Sequence, residues 1–147
     1  MKIKVGSEVD AQISALGAGF LPARRSGALD EAERILLGTW ALIPEPKLEH
    51  DYYPQSLSRT IVEFYRDTKQ HDKAKQWLAT LGAAYDVEDL ADDPSCAMLA
   101  GTVHYEAGEH ERAFLYFRKL YADHKRRPFK SSDPRYLEFT LDRLGKR

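Results

Sequence analysis

Hydrophobic positions recur with the period of an α-helix along most of this chain. In residues 101–120, apolar side chains return every three or four positions on both sides of Gly108. Gly108 interrupts the pattern where a chain that turns back needs a residue that tolerates positive φ. Gly101 and Ala113 are small, and we expect them where two helices approach closely. The stretch predicts a helical hairpin that needs similar neighbours to bury its apolar faces.

Similar patterns predict helices on both sides of this stretch. Pro22 is expected to end a first helix over about residues 8–21, and Pro44 a second over about residues 28–43. Each of the predicted helices pairs with its neighbour, except the last. The predicted hairpins cover about residues 8–43, 54–85 and 95–124, and a capping helix follows over about residues 134–144.

Three alanines mark an internal repeat. Ala32, Ala74 and Ala113 each follow a predicted turn, and they are 42 and 39 residues apart. Each precedes a large apolar residue by four positions, where the next helical turn brings it to the same face. These apolar residues are Leu36, Leu78 and Phe117. The pattern indicates one hairpin unit used three times.

The stretch after Pro94 resembles a tetratricopeptide repeat (TPR). With Pro94 as the first repeat position, Gly101 matches the small eighth position and Gly108 the turn between helices. Ala113 and Phe117 match the twentieth and twenty-fourth positions. The resemblance implies an all-α, TPR-like α-solenoid of about three helical hairpins plus a C-terminal capping helix. We expect it to form a single domain over residues 1–147.

Several positions depart from the TPR pattern. The first-helix aromatic, Tyr105, falls one residue later than usual, and Leu120 stands where alanine is common. In the second copy Val62 occupies the small position and Lys69 the turn glycine. The copies also exceed the roughly 34 residues of a TPR, and the excess fits in the linkers. TPR-like therefore describes the chain better than TPR.

Composition and charge narrow the functional classes. The net charge of −1 provides no field that would attract nucleic acid or an anionic membrane. A single cysteine excludes an internal disulfide and suits a reducing compartment. Residues 11–23 are uncharged but too short to span a bilayer, and Glu8 and Asp10 do not suit a signal peptide. We expect a soluble cytoplasmic protein without nucleic-acid or membrane partners.

The sequence predicts no catalytic centre, metal site or cofactor. It contains no HExxH, GxSxG, P-loop or GxGxxG pattern. Cys96 lies in the first turn of a predicted helix, where the dipole favours a thiolate, but without a catalytic signature a packing role is the simpler interpretation. The five histidines are interpreted as structural. The basic run over residues 125–130 is interpreted as a linker rather than a phosphate contact.

The resemblance also implies a concave protein-binding face. In a TPR-like stack the first helix of each hairpin lines this face, which tyrosine and arginine suit as binding residues. Alternatively, Tyr105 belongs partly to the core and the charged groups are merely solvated. Glu63 stands where the carboxylate clamp of some TPR domains prefers asparagine, which disfavours that binding mode. The expected partner-binding residues are Arg59, Glu63, Arg66, Met98, Thr102, Tyr105 and Glu106.

From residue 28 to 139 the chain resembles TPR-like immunity proteins encoded beside polymorphic or contact-dependent bacterial toxins. The resemblance lies in sequence segments such as TWALIPEPK and RRPFKSSDPRYLEF. It implies a cytoplasmic protein that binds a cognate toxin domain and blocks its active site. An acidic loop at residues 86–93 would suit a basic, nuclease-type toxin. Its acidic residues are Asp86, Glu88, Asp89, Asp92 and Asp93.

Three alternatives remain open from the sequence. A secretion chaperone or adaptor would bind an extended peptide in the concave groove. A small enzyme or regulator would use Cys96 or His104. Homo-oligomerisation would use the exposed end of the solenoid, unless the last helix blocks it.

Overall fold

A computed structural model describes residues 2–146 and consists mainly of α-helices. Short 3-10 turns occupy three of the connections: Lys47–Glu49, Leu90–Asp92 and Arg127–Phe129. Apart from one isolated bridge between Ile3 and His50, residues 2–146 contain no β-structure. The all-α prediction is confirmed. The helices are α1 (Ser7–Gly17), α2 (Phe20–Arg25), α3 (Leu29–Leu42), α4 (Tyr53–Asp67), α5 (His71–Ala84), α6 (Pro94–Glu106), α7 (His110–His124) and α8 (Pro134–Leu144).

From α3 onward the helices pack in the order in which they occur along the chain, while α1 and α2 both pack against α3. The most extensive contacts join α4 to α5 and α6 to α7. Further contacts link these pairs to each other, to α3 on one side and to α8 on the other. One large apolar cluster extends from α2 to α6, and a second joins α6 and α7 to α8. Among the described residues, no helix is long and apolar enough to cross a membrane.

The turns that precede α3, α5 and α7 share one backbone geometry. Gly27, Lys69 and Gly108 have φ values of 81°, 62° and 80°, so each is left-handed. Their spacing equals that of the three repeated alanines. The next N–H in each turn donates to the carbonyl five residues earlier, a Schellman pattern that ends the preceding helix. These bonds join Ala28 to Ala23 (2.9 Å), Gln70 to Tyr65 (2.8 Å) and Glu109 to His104 (2.9 Å).

Small residues allow the paired helices to approach closely. Ala32, Ala74 and Ala113 are all 0 % exposed. In the α6–α7 pair, a Cβ added at Gly101 would lie 2.4 Å from Cε1 of Phe117. The Phe117 ring is itself fully buried, so it has little room to move away. Gly101 therefore sets how closely α7 packs against α6, as its position in the sequence predicted.

The prediction of one helix over residues 8–21 is wrong. The structure has two helices there, α1 and α2, with a break at residues 18–19. Pro22 does not end a helix but lies in the first turn of α2, where its missing N–H costs no hydrogen bond. Gly19 lets α2 approach α3, because a Cβ there would lie 3.1 Å from Cδ1 of Ile35.

Two carboxylates connect neighbouring helix pairs. Glu33 on α3 accepts hydrogen bonds from Tyr65 Oη (2.7 Å) and Lys73 Nζ (3.1 Å). Glu109, just before α7, accepts from Lys75 Nζ on α5 at 2.9 Å. His104 Nδ1 donates to the same carboxylate at 2.7 Å. These contacts link α3 to α4 and α5, and α5 to the start of α7.

We predict that Gly101→Ala destabilises the protein by about 1–2 kcal/mol. Overpacking against Phe117 costs about 1–3 kcal/mol, and a gain in helix propensity of up to about 1 kcal/mol offsets part of it. Urea unfolding followed by circular dichroism measures the change. Gly17→Ala is the matched control, because its Cβ would meet only Thr39 Cγ2 at 3.8 Å. Equal stability of Gly101→Ala and the wild type would contradict the close-packing argument.

We also predict a pH-dependent effect of Glu109→Gln. Hydrogen bonds from Lys75 and then His104 lower the pKa of Glu109 from 4.5 to about 2. The contribution of the ionised Glu109 to the free energy of unfolding is therefore present above pH 4.5. It is lost as the pH falls towards about 2.

Because the Glu109 side chain is 40 % exposed, Glu109→Gln should lower the free energy of unfolding at neutral pH by about 1 kcal/mol or less. Urea unfolding at several pH values measures it. Glu111→Gln is the control, since Glu111 makes only a highly exposed pair with Arg143. A loss for Glu109→Gln that stayed constant down to the lowest pH would contradict the assignment.

Candidate functional site

A groove runs between α4 and α6 and is bordered by the segment that joins α7 to α8. It consists of two adjoining cavities of about 360 and 440 Å³. Four residues, Arg59, Met98, Ser131 and Ser132, line both cavities, so the two form one continuous depression. We call it the α4–α6 groove.

One half of the groove, the mixed-charge half, carries both acidic and basic side chains. Arg66 donates from Nη1 to Thr102 Oγ1 at 2.9 Å and from Nε to Asp67 at 2.8 Å. Arg135 lies 3.0 Å from Asp133 and 3.4 Å from Glu106. These two arginines are therefore already paired. Besides the shared residues, this half is lined by Glu63, Arg66, Asp67, Leu99, Thr102, Glu106, Asp133, Arg135 and Tyr136.

The other half, the cationic half, is lined by basic, apolar and hydroxyl side chains. It comprises Arg59, Pro94, Ser95, Met98, His124, Arg127, Pro128, Ser131 and Ser132. No carboxylate is among these lining residues. Arg59 makes one 3.4 Å hydrogen bond, to the carbonyl of Ser95. Within residues 2–146, the side chains of His124 and Arg127 make no hydrogen bond or ion pair. The positive charge of this half is therefore largely uncompensated.

Most of the residues expected on a concave face lie together in this groove. They are Arg59, Glu63, Arg66, Met98, Thr102 and Glu106. Met98 and Thr102 are 8 % and 3 % exposed, so they form the floor, while the charged residues form the walls. Tyr105 lies outside the groove. Its ring stacks on His110 at 4.7 Å and meets Tyr136 edge-on at 5.2 Å, within the cluster beneath α8.

The α7–α8 segment contributes to the groove, although its sequence indicates only a linker over residues 125–130. Arg127, Pro128 and the serines after them form one side of the groove. Phe129 fixes this segment in place, since it is 3 % exposed and packs against Phe117 at 5.6 Å. A single phenylalanine within a polar, basic stretch was the available signal that the segment is anchored.

The acidic residues of segment 86–93 lie outside the groove and do not share one role. Asp89 and Asp93 accept backbone N–H groups of Ala91 and Cys96, each at 2.9 Å, so they cap the following turns. Asp86 lies 3.3 Å from Lys2 Nζ. Glu88 and Asp92 are exposed and make no hydrogen bond or ion pair within the described residues. Of the five, these two alone carry a negative charge that no described residue pairs with.

The two residues considered for chemistry are both buried. Cys96 is 0 % exposed. Burial raises the pKa of its thiol to about 12, and the Asp93 carboxylate adds to the rise. Desolvation thus outweighs the helix dipole that had favoured a thiolate. His104 is 5 % exposed, bonded to Glu109 and stacked on Tyr116 at 5.9 Å. Neither side chain is therefore open to solvent in this structure.

Comparisons with known proteins give no match. No protein-family model matches the sequence. No curated protein and no solved structure is significantly similar to the chain. Among residues 2–146, no group of three or more histidine, cysteine or acidic side chains is placed to hold a metal ion.

We predict that Cys96 reacts slowly with iodoacetamide in the folded protein. At about pH 8, reaction should be at least about a hundredfold slower than in urea, because only the thiolate reacts and the buried thiol stays protonated. Mass spectrometry of quenched samples measures the two rates. Similar rates in the folded and unfolded protein would contradict the burial of Cys96 and reopen a nucleophilic role.

Proposed function

We propose that this protein is a non-catalytic, TPR-like protein-binding module whose partner binds in the α4–α6 groove. The repeated turn geometry and the three equally buried alanines support a stack of similar helix pairs. In such a stack the first helices of successive pairs share one face. The groove lies between two of these first helices, α4 and α6.

The single observation that carries the proposal is the composition of the groove. Its floor contains apolar side chains that are largely buried, and its walls carry arginines from three separate segments. Arginine is enriched among the residues that dominate protein–protein binding energy, and a concave site desolvates such contacts. An extended segment of a partner fits this shape better than a flat protein surface.

For the physiological role, we propose an immunity protein that acts in the bacterial cytoplasm. The supporting features are the resemblance over residues 28–139 and the exposed acidic segment. Glu88 and Asp92 offer uncompensated negative charge to a basic toxin domain, and such charge steers association and discriminates between partners. Binding over the toxin active site would neutralise the toxin.

The second candidate role is a secretion chaperone or adaptor. The groove favours it, because such proteins hold an extended segment of their cargo. This role requires the groove and makes no use of Glu88 or Asp92. The two roles therefore differ in which surface a mutation must change.

The test uses acid-to-lysine variants on the two surfaces. The tagged protein is co-expressed with the product of the adjacent gene, and partner affinity is measured after purification. We predict that Glu63→Lys in the groove weakens binding by about tenfold or more, as expected for a central interface residue. Under the immunity role, Glu88→Lys with Asp92→Lys also weakens binding and restores toxicity.

Glu138→Lys is the matched control, since Glu138 is exposed on α8 and lines neither surface. If only the groove variant loses the partner, and the partner keeps its activity when bound, the chaperone role replaces the immunity role. If Glu63→Lys binds the partner as tightly as Glu138→Lys does, the groove is not the binding site and the proposal fails.

A further inference from the structure

Charge compensation is uneven along the α4–α6 groove. In the mixed-charge half, Arg66 and Arg135 are held by neighbouring carboxylates and a threonine hydroxyl. In the cationic half, Arg127 and His124 have no such partner within residues 2–146, and Arg59 has there only its contact with the Ser95 carbonyl. Arginines that are already paired gain little from a new anion, whereas unpaired ones gain a full set of charge-assisted hydrogen bonds.

We propose that the cationic half of the groove binds a carboxylate of an acidic, extended segment of the partner protein. The pocket includes Arg127 of the α7–α8 segment and not Glu63, so it differs from the clamp that Glu63 disfavours. The proposal rests on the function proposed above and names the chemistry that the partner must supply. The guanidinium groups of Arg59 and Arg127 present the planar, forked donors that match a carboxylate. Ser131 and Ser132 add hydroxyl donors beside them.

The non-basic walls of the same half favour a peptide. Pro94, Met98 and Pro128 supply apolar surface, which suits the methylene groups of a glutamate or its neighbours. Ligand sites commonly combine apolar walls with a few polar groups that fix orientation. At about 440 Å³, this half accommodates one or two side chains of an extended chain rather than a whole domain.

The surrounding charges disfavour a nucleic-acid backbone. Asp93 directly precedes Pro94 and Ser95 of the pocket wall, and it is engaged with the Cys96 N–H. Glu63 and Asp133 line the adjoining half. A phosphodiester chain that continued along the groove would meet these carboxylates, whereas a peptide can place its acidic residue in one half and neutral or basic residues in the other. The net charge of the whole protein is also −1.

The position of the pocket depends on an anchored segment. Arg127 and Pro128 belong to the 3-10 turn Arg127–Phe129, and Phe129 inserts into the apolar cluster formed with Phe117. The cationic side chains are therefore presented by a fixed backbone rather than by a loose tail. A preorganised site of this kind loses less entropy when it binds a ligand.

The test measures fluorescence anisotropy of a short labelled peptide of alternating glutamate and alanine. The probes for comparison are the same peptide with glutamine in place of glutamate and an oligothymidylate of equal length. We expect saturable binding of the glutamate peptide only. Arg127→Ala should weaken it by about tenfold, the effect of losing one charge-assisted contact.

Arg25→Ala serves as the matched control, because Arg25 is exposed on α2 and lies outside the groove. Its affinity for the glutamate peptide should stay within about twofold of wild type, since distant surface charges are screened. The Arg127 side chain makes no hydrogen bond or ion pair within residues 2–146. Arg127→Ala therefore removes no such contact that stabilises the fold. Thermal melts of both variants verify folding.

Three results would overturn the inference. They are no saturable binding of the glutamate peptide, equal binding by Arg127→Ala and the wild type, and tighter binding of the oligothymidylate. If one of these occurs while Glu63→Lys still releases the native partner, only the carboxylate pocket is wrong and the groove remains the protein-binding site. If Glu63→Lys also has no effect, the proposed function fails with it.

Discussion

Close approach of paired helices at small buried residues is the constraint on which the structure depends. Ala32, Ala74 and Ala113 are all 0 % exposed, and each lies five residues after a left-handed turn residue. The turn fixes where the second helix starts, and the alanine lets it pack at short distance. Because each pair is held in this way, α4 and α6 become neighbours through the stacking of pairs. The groove between them is a consequence of that stacking.

The segment from α7 to α8 deepens the surface between α4 and α6 into the groove. α8 and the segment before it cover the apolar cluster around Phe117, and Phe129 and Tyr136 insert into that cluster. The insertion places Arg127 and Arg135 on one side of the groove. Arg135 meets carboxylates there and Arg127 does not. Packing at the end of the stack therefore determines which charges remain available to a partner.

The sequence was sufficient where local rules and helical periodicity agree. Gly108 and the residues around it specify a turn, and the TPR resemblance implied a shared face for six of the residues that line the groove. It was insufficient where one residue is compatible with two local structures. It was also insufficient where contacts with distant parts of the chain determine whether a side chain is buried. A proline can end a helix or lie in its first turn, so the break before α2 was missed. Tyr105 was expected on the open face, but α8 covers it. The helix dipole that favours a Cys96 thiolate acts locally, so the sequence shows it. The burial of Cys96 depends on the packing of the whole core, which the sequence does not show.

Site-specific photo-crosslinking in cells tests most directly whether a partner lies in the α4–α6 groove. A photoreactive residue would replace Ser131, which is exposed and lines both halves, or Leu115, which is 56 % exposed on α7 and lines neither. Mass spectrometry then identifies the attached protein and the attached peptide. We predict that the photoreactive residue at Ser131 traps one partner through an extended, acidic segment and that the one at Leu115 does not. Trapping of that same partner from Leu115 and not from Ser131 would contradict it.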